Sequence, residues 1–161
     1  MKGGVVMSSL GEKALQTIGV DYTPHPYDYQ KKGAEAAAIA LNIPVDVVFK
    51  TLVVALPERE FVYLLAPGGS SVSMKSFARL LQVKSAELAT ERDAERLTGY
   101  KVGGIGPFGA RTSLPLYLDL SALDHDLIYI NGGRRGLLLG IPTSALIDVV
   151  GVELVEVSRA S

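Results

Sequence analysis

The 161 residues are 48% hydrophobic and 20% charged, which predicts one domain with a buried core and excludes a disordered chain. The formal net charge of −1 excludes a protein that coats nucleic acid with a broad basic surface, so any such contact should be small and local. There is no cysteine, which excludes a disulfide framework or a protein thiolate and fits a reducing compartment.

No targeting or membrane segment is visible in the sequence. No stretch approaches the roughly 20 uninterrupted apolar residues of a membrane helix, and the start has too short an apolar run for a secretory signal. We therefore expect a cytoplasmic protein with no membrane partner. We expect a single domain over residues 1–161, with a loose terminus over residues 1–8.

The first half of the chain predicts two helices, an edge strand and a hairpin. Ser8 or Ser9 begins a helix that ends at Gly19. Residues 20–29 are expected to be an extended edge strand, because their two prolines exclude a helix. The apolar stripe of the first helix consists of Leu10, Ala14, Leu15 and Ile18. The later elements are a helix over 33–41, a helical turn over 44–47, and two strands over 50–56 and 60–66 that form the hairpin.

The second half predicts further helices and strands around a glycine-rich loop. Ser73 begins a helix with Met74, Phe77, Leu80 and Leu81 inward, and Thr90 begins another that ends at Gly99. The remaining elements are a loop over 100–109, strands over 114–119, 127–130, 137–141 and 152–157, and a helix over 142–149. Because hairpins are mixed with helical crossovers, the pattern favours an α/β fold with a mixed or barrel-like sheet and helices outside it.

Most catalytic signatures are absent from the sequence. His25 and His125 are far apart and no cysteine accompanies them, which argues against a metal centre. There is no G-x-S-x-G elbow, no Gly-Lys-Ser/Thr ending of a phosphate loop, and no G-x-G-x-x-G between a strand and a helix. We expect no cofactor, and neither nucleotide hydrolysis nor dinucleotide binding.

A cation stands at the opening of an otherwise apolar strand. Lys50 and Thr51 follow Phe49, the 103–109 loop offers unhindered backbone N–H groups, and the 131–136 turn carries two arginines. Such donors could hold an ester carbonyl or a phosphate without a metal. Taken alone, the composition modestly favours reading Lys50 as a strand-end lysine that reaches solvent. The cation pairs that could form a local patch are Lys31 with Lys32, Lys75 with Arg79, and Arg134 with Arg135; each also fits an ordinary solvated surface.

Four stretches are more specific than the pattern of elements around them. They are HPYD over residues 25–28, VFKTLVV over 48–54, TGYKVGGIGPFG over 98–109 and IYINGGRRGL over 128–137. In this order they resemble the YbaK/EbsC group of free-standing aminoacyl-tRNA deacylases, which is similar to the editing domain inserted in bacterial prolyl-tRNA synthetase. The resemblance implies a mixed, mostly antiparallel barrel-like sheet surrounded by helices. It also implies hydrolysis of the ester that joins a wrong amino acid to tRNA, best known for cysteine on proline tRNA.

The same resemblance implies a set of site residues. Lys50 matches the indispensable lysine of the family, Thr51 the threonine after it, and Tyr27 a tyrosine near the pocket. The implied catalytic residues are Lys50, Thr51, Gly103 and Gly104, and the implied substrate-binding residues are Tyr27, Ile105, Gly106, Asn131, Gly132, Arg134, Arg135 and Leu138. Family members that remove cysteine are thought to use the thiol of the substrate; activated water is the alternative.

Three positions depart from the family pattern and bear on specificity. Gly106 and Asn131 stand where serine is frequent, and Leu138 stands where a polar residue is frequent. These changes indicate a more apolar or roomier pocket. Residues 128–131 (IYIN) lack the Phe-His-Pro stretch of the alanine-specific branch, which favours the YbaK branch.

We therefore predict a trans-editing aminoacyl-tRNA deacylase that acts on Cys-tRNA(Pro) or on tRNA carrying another small amino acid. It should contact the acceptor end of the mischarged tRNA, and prolyl-tRNA synthetase is a candidate partner. A non-catalytic module that binds aminoacyl-tRNA or a synthetase is one alternative, and a small-ester or thioester hydrolase is another. The lysine and the intact glycine loop favour the deacylase.

Overall fold

The computed structural model describes residues 7–160, so most of the loose terminus predicted over 1–8 lies outside the described residues. The helices are α1 (Leu10–Ile18), α2 (Ala34–Leu41), α3 (Met74–Leu80), α4 (Glu91–Thr98) and α5 (Thr143–Ala145). The strands are β1 (Thr23–Pro26), β2 (Val48–Leu56), β3 (Glu60–Pro67), β4 (Ser70–Val72), β5 (Glu87–Leu88), β6 (Leu116–Asp119), β7 (Leu127–Asn131), β8 (Leu137–Pro142), β9 (Glu153–Val155) and β10 (Ser158–Ala160). Within residues 7–160, no helix has the length and apolar character needed to cross a membrane.

The strands form one large mixed sheet and one small ribbon. The large sheet has the order β1-β8-β7-β2-β3-β6-β9, with β5 also paired to β2. The β1–β8, β7–β8, β2–β3 and β2–β5 pairs are antiparallel, whereas β2–β7, β3–β6 and β6–β9 are parallel. The antiparallel ribbon joins β10 to β4. The predicted mixed, mostly antiparallel sheet is confirmed, as is the edge position of the proline-containing strand β1.

Helices cover both faces of the large sheet. Successive residues of a strand point to opposite faces. Val48 and Val54 point to one face of β2. On that face, helix α2 packs in the hydrophobic cluster that contains Val48, and helix α3 packs in the cluster that contains Val54. Helix α1 belongs to the cluster of Phe49 and α4 to that of Val53, on the other face. Strand β2 is therefore buried on both sides, which explains its nearly continuous apolar sequence.

The helix starts predicted from capping residues are confirmed, but two inward stripes are not. The Ser9 side chain caps α1 in a reciprocal capping box with Glu12, and Thr90 accepts the N–H of Asp93 at the start of α4. Leu10 and Ile18 are 58% and 47% exposed, although the apolar stripe predicts them inward, and Leu80 of α3 is 53% exposed. Helix α1 instead buries Gly11, Glu12 and Leu15, because its first turn lies against the backbone of Gly132.

The C-terminal elements differ from the prediction in detail. The helix expected over 142–149 is present over residues 143–150, as one α-turn, α5, that continues as a π-turn over Leu146–Val150. The strand expected over 152–157 ends at Val155. The buried Asp119 carboxylate accepts the backbone N–H groups of Val157 and Ser158, both at 2.9 Å, and this turns the chain out of β9 into β10. Strands β4, β5 and β10 were not predicted.

Candidate active site

A cleft opens where strands β2 and β7 separate. The parallel ladder between them has two pairs, Val48↔Tyr129 and Phe49↔Ile130. The next residues, Lys50 and Asn131, both line a cleft of about 430 Å³. Strand β5 pairs with β2 only at Val54 and Ala55, so the edge of β2 between these two ladders faces the cleft. Side chains from both faces of β2 therefore reach the same cavity.

Lys50 is a partly buried cation in this cleft. Its Nζ donates to the carbonyl oxygen of Ser70 in β4 at 3.2 Å. Burial lowers the pKa of Lys50 below its usual value, and the charge of Glu35 in the first turn of α2 opposes that shift. No Asp or Glu is among the residues that line the cleft. The ammonium is thus held by one carbonyl and leaves two N–H groups for a ligand.

Thr51 presents a hydroxyl that the protein does not satisfy. Its Oγ1 has almost no solvent exposure and no hydrogen-bond partner within residues 7–160. Leaving a buried hydroxyl unpaired costs about 1–3 kcal/mol, and such groups are uncommon enough to call for an explanation. Thr51 also lines the cleft, so a rotation of its side chain would offer this hydroxyl to a bound molecule.

The glycine-rich loop, residues 100–109, forms the wall opposite β2. Gly103 and Ile105 line the cleft. Their backbone N–H groups donate to no acceptor in the described part of the chain, whereas that of Gly104 donates to Lys101 at 2.8 Å. A Cβ on Gly104 would lie 2.6 Å from the nitrogen of Arg135, and one on Gly106 would meet the carbonyl oxygen of Asn131. Gly104 and Gly106 thus let the loop lie against the 131–136 turn.

The 131–136 turn is fixed by Asn131 and by the start of α1. Asn131 Oδ1 accepts the N–H groups of Gly133 and Arg134 at 2.7 and 3.1 Å. Gly132 accepts from the Ser9 hydroxyl at 2.7 Å, and Leu137 occupies the space that a Gly132 side chain would need. Gly132 therefore shapes the turn and does not line the cleft.

The two arginines of the turn lie outside the cleft. Arg134 donates from Nη1 to the carbonyl oxygen of Met7 at 3.2 Å. Arg135 donates from Nε to the carbonyl oxygen of Val102 at 3.0 Å and lies over the ring of Tyr29. Both arginines are exposed, and Arg135 borders the cleft through its bond to Val102, which lines the cleft.

The remaining wall of the cleft is apolar. Ala34 and Ala37 of α2, Val48 of β2 and Leu138 of β8 line it. Tyr27 lies beside them, its backbone N–H bonded to Gly136, and burial raises the pKa of its hydroxyl. The predicted apolar character at Leu138 agrees with this wall.

The structure brings seven of the predicted site residues together: Tyr27, Lys50, Thr51, Gly103, Ile105, Asn131 and Leu138. The other five, Gly104, Gly106, Gly132, Arg134 and Arg135, support or flank the cleft. Sequence reasoning missed the Ser70 carbonyl, for which no side-chain signal exists. It also missed Tyr29, which follows the end of β1 and lies beside Gly103.

A family model for the aminoacyl-tRNA editing domain matches residues 29–149. This chain belongs to the aminoacyl-tRNA editing domain family. The match contains Lys50, Thr51, the glycine-rich loop and the 131–136 turn, so every residue that lines the cleft except Tyr27 lies within the matched editing domain.

Similar proteins agree with the family. The chain is 29% identical over 125 residues to EbsC of Enterococcus faecalis, a protein whose name proposes it as a Cys-tRNA(Pro)/Cys-tRNA(Cys) deacylase; the match covers 78% of this chain and 76% of EbsC. It is 37% identical over 110 residues to a proline–tRNA ligase of Caldicellulosiruptor saccharolyticus, covering 68% of this chain but 19% of the ligase. The chain therefore resembles one part of that ligase.

Solved structures show the same fold. The crystal structure of hypothetical protein APE2540 has a TM-score of 0.86 at 24% identity, covering 93% of this chain and 99% of that one. The crystal structure of a proposed trans-editing enzyme for prolyl tRNA synthetase has a TM-score of 0.81 at 24% identity, covering 96% and 100%. The editing-domain fold thus extends across nearly the whole chain.

Proposed function

We propose that this protein is a trans-editing deacylase that cleaves the ester of mischarged tRNA, with Cys-tRNA(Pro) or tRNA carrying another small amino acid as substrate. The observation that carries the proposal is the set of unsatisfied donors in the cleft. Lys50, Thr51, Gly103 and Ile105 line one cavity with an apolar wall, and each has a donor group that the described residues leave wholly or partly unpaired. An aminoacyl ester has a carbonyl oxygen that can accept hydrogen bonds from these donors, and a small amino acid side chain that can pack against the apolar wall.

In the proposed reaction these donors stabilise negative charge on the ester carbonyl oxygen. Attack on the carbonyl carbon turns that oxygen into an oxyanion, and preorganised donors in a water-poor site favour such charge. The bond from the carbonyl carbon to the ribose oxygen then breaks, and the ribose oxygen takes a proton. The products are the free amino acid and a tRNA with its hydroxyl restored.

The attacking group in this proposal comes from water or from the substrate. Thr51 is the only hydroxyl-bearing aliphatic side chain among the residues that line the cleft, and no base contacts it in the described region. A threonine nucleophile needs an adjacent base, which supports either a water molecule or the thiol of a cysteinyl substrate. With the thiol, sulfur bonds to the carbonyl carbon, the ribose oxygen leaves with the thiol proton, and a cyclic thioester forms. Water then breaks the new bond between sulfur and the carbonyl carbon, which gives free cysteine.

The proposed partner is the acceptor end of the tRNA, and the proposed compartment is the cytoplasm, where tRNA is charged. The flanking arginines, Arg134 and Arg135, are exposed beside the cleft. They would contact phosphates near the aminoacyl ester without reading sequence. Prolyl-tRNA synthetase is a second proposed partner. Similarity to a region of a proline–tRNA ligase suggests a shared substrate, but it does not itself imply that the two proteins bind each other.

Deacylation of a panel of charged tRNAs tests the proposal. Cys-tRNA(Pro), Ala-tRNA(Pro) and Pro-tRNA(Pro) are incubated with the wild type and with Lys50→Met, and the remaining ester is measured over time. Faster loss of Cys or Ala ester than of Pro ester, absent in the variant, is the expected result. Tight binding of charged tRNA without loss of its ester would indicate a non-catalytic binding module and not a deacylase. Cleavage of simple alkyl esters, with no cleavage of charged tRNA, would indicate a general esterase.

A further inference from the structure

A cation–π pair lies at the rim of the cleft, beyond the donors that hold the ester in the proposed reaction. It consists of Tyr29 and Arg135, called here the rim pair. The Cζ of Arg135 is 5.5 Å from the centroid of the Tyr29 ring. This distance is within the range in which a guanidinium is attracted to an aromatic face.

The rim pair is held in place by the two loops of the site. Arg135 Nε donates to the carbonyl oxygen of Val102 at 3.0 Å. The Tyr29 hydroxyl occupies the space beside Gly103, where a Cβ would meet that hydroxyl and would lie 3.0 Å from Cζ of the ring. Gly103 has a φ of +94°, and glycine is the residue that suits both constraints. Since Val102 and Gly103 line the cleft, the rim pair borders it directly.

The groups that the rim pair presents are not used by the protein. Arg135 is exposed, and within residues 7–160 the hydrogen bonds of its guanidinium come from Nε alone. The Tyr29 hydroxyl has no hydrogen-bond partner in the same residues. The ring, not the hydroxyl, is therefore the part of Tyr29 that contacts Arg135. A planar guanidinium backed by an aromatic ring is a surface on which another planar group can stack.

The geometry points to a nucleobase as the ligand of the rim pair, and we propose that it stacks the base of the terminal nucleoside of the charged tRNA. This inference rests on the proposed function. With the ester carbonyl at the donors of the cleft, the ribose and its base are the next parts of the substrate, and the cleft wall at Gly103 is in contact with the Tyr29 ring. Unpaired bases of RNA stack on aromatic side chains and on arginine planes with little dependence on sequence. All tRNAs end in the same adenosine, so this contact would bind every tRNA alike. It therefore suits an enzyme that selects its substrate by the attached amino acid.

Binding of two hydrolysis-resistant analogues tests the rim pair. One is alanine linked by an amide to the 3′ position of adenosine, and the other is the same molecule without the base. Stacking of one base contributes about 1–3 kcal/mol, so the wild type should bind the adenosine analogue roughly 5- to 150-fold more tightly than the abasic one. Tyr29→Leu and Arg135→Lys should reduce this ratio to near 1, because the first removes the ring and the second keeps the charge but removes the plane.

Two variants serve as controls, and the melting temperature of every variant checks the fold. Tyr29→Phe should keep the full ratio, because only the ring is needed, and Lys101→Ala should keep it although it removes a nearby exposed cation. Equal wild-type affinity for the two analogues, or binding of neither, would overturn the inference, and so would a full ratio in folded Arg135→Lys. Turnover of mischarged tRNA without a base preference defeats the rim pair alone, whereas a base preference without turnover defeats the proposed function alone.

Discussion

Lys50→Met should lower kcat/KM for deacylation by about 10²- to 10³-fold, the loss measured when one donor to a developing oxyanion is removed (about 2.7–4 kcal/mol). Methionine keeps the length and apolar stem of lysine but removes the ammonium. Lys50→Arg should fail to restore the rate, because a planar guanidinium does not reproduce a compact ammonium in a half-buried cleft. Single-turnover loss of the ester, measured with saturating enzyme, separates this effect from product release.

The same substitution should leave the fold intact. Lys50 gives the protein one hydrogen bond, to the Ser70 carbonyl at 3.2 Å, and a bond of this kind contributes about 1 kcal/mol. Burial lowers the pKa of Lys50, so below that pKa the folded state must hold a charge that would be better solvated in the unfolded chain. These two effects oppose each other, so the melting temperature of Lys50→Met should lie within about 4 °C of wild type. A collapse in melting temperature together with the rate would refute the catalytic role.

The pH profile distinguishes the two ways in which Lys50 could act. If the cation is the active form, the enzymatic rate, after subtraction of spontaneous ester hydrolysis, falls as pH rises through the lowered pKa. If the free amine acts as a base, the rate rises through the same range. Glu35 opposes the lowering, so Glu35→Gln should move this limb to lower pH. We expect the first behaviour; a limb that rises with pH would refute it.

Three further predictions concern neighbouring features. Thr51→Val should raise the free energy of unfolding by up to about 1–3 kcal/mol, because it removes an unpaired buried hydroxyl, and should lower kcat/KM; unchanged kinetics would exclude a role for the hydroxyl. Gly104→Ala should lower the free energy of unfolding by about 1–3 kcal/mol in urea titrations, because its Cβ would lie 2.6 Å from the nitrogen of Arg135. Burial raises the pKa of Asp119, but hydrogen bonds from Ser121, Val157 and Ser158 outweigh it and hold that pKa below its usual value, so stability is present above about pH 4 and is lost as pH falls through the folded pKa. Asp119→Asn should cost about 2–3 kcal/mol at pH 7 and flatten that loss, and equal acid sensitivity in urea titrations would contradict this.

The sequence predicts local features of the fold better than distant ones. The cap at Ser9, the turn at 57–59 and the proline-rich edge strand depend on a few adjacent residues, and each lies where the pattern indicates. The ribbon of β4 and β10 could not be predicted, because its pairing joins Ser70 to Ala160 and its geometry depends on the buried Asp119. Three-residue strands also carry too few side chains for a period to be recognised.

The sequence predicts which residues form the candidate site, but it does not predict the different roles of the glycines in the glycine-rich loop. Four glycines in seven residues indicate a loop for close approach, yet the sequence alone suggests that Gly103 and Gly104 both serve the substrate. The structure separates them: Gly103 lines the cleft beside Tyr29, whereas Gly104 lies against the backbone of the 131–136 turn. The difference depends on which chain segment packs on each Cα, and no local pattern records that.

The sheet has few backbone pairs where β2 meets β7, at Val48↔Tyr129 and Phe49↔Ile130, and these four residues are called here the seam. The β2–β3 ladder has eight residue pairs, whereas the β2–β7 ladder that joins the two halves of the sheet has two. Regions with few backbone pairs open locally at lower free energy than core strands. Amide protons at the seam should therefore exchange with solvent sooner than those near Leu64, and a bound substrate analogue should slow exchange there most. Because the cleft begins where this ladder ends, local opening of the ladder would widen the cleft without unfolding the domain.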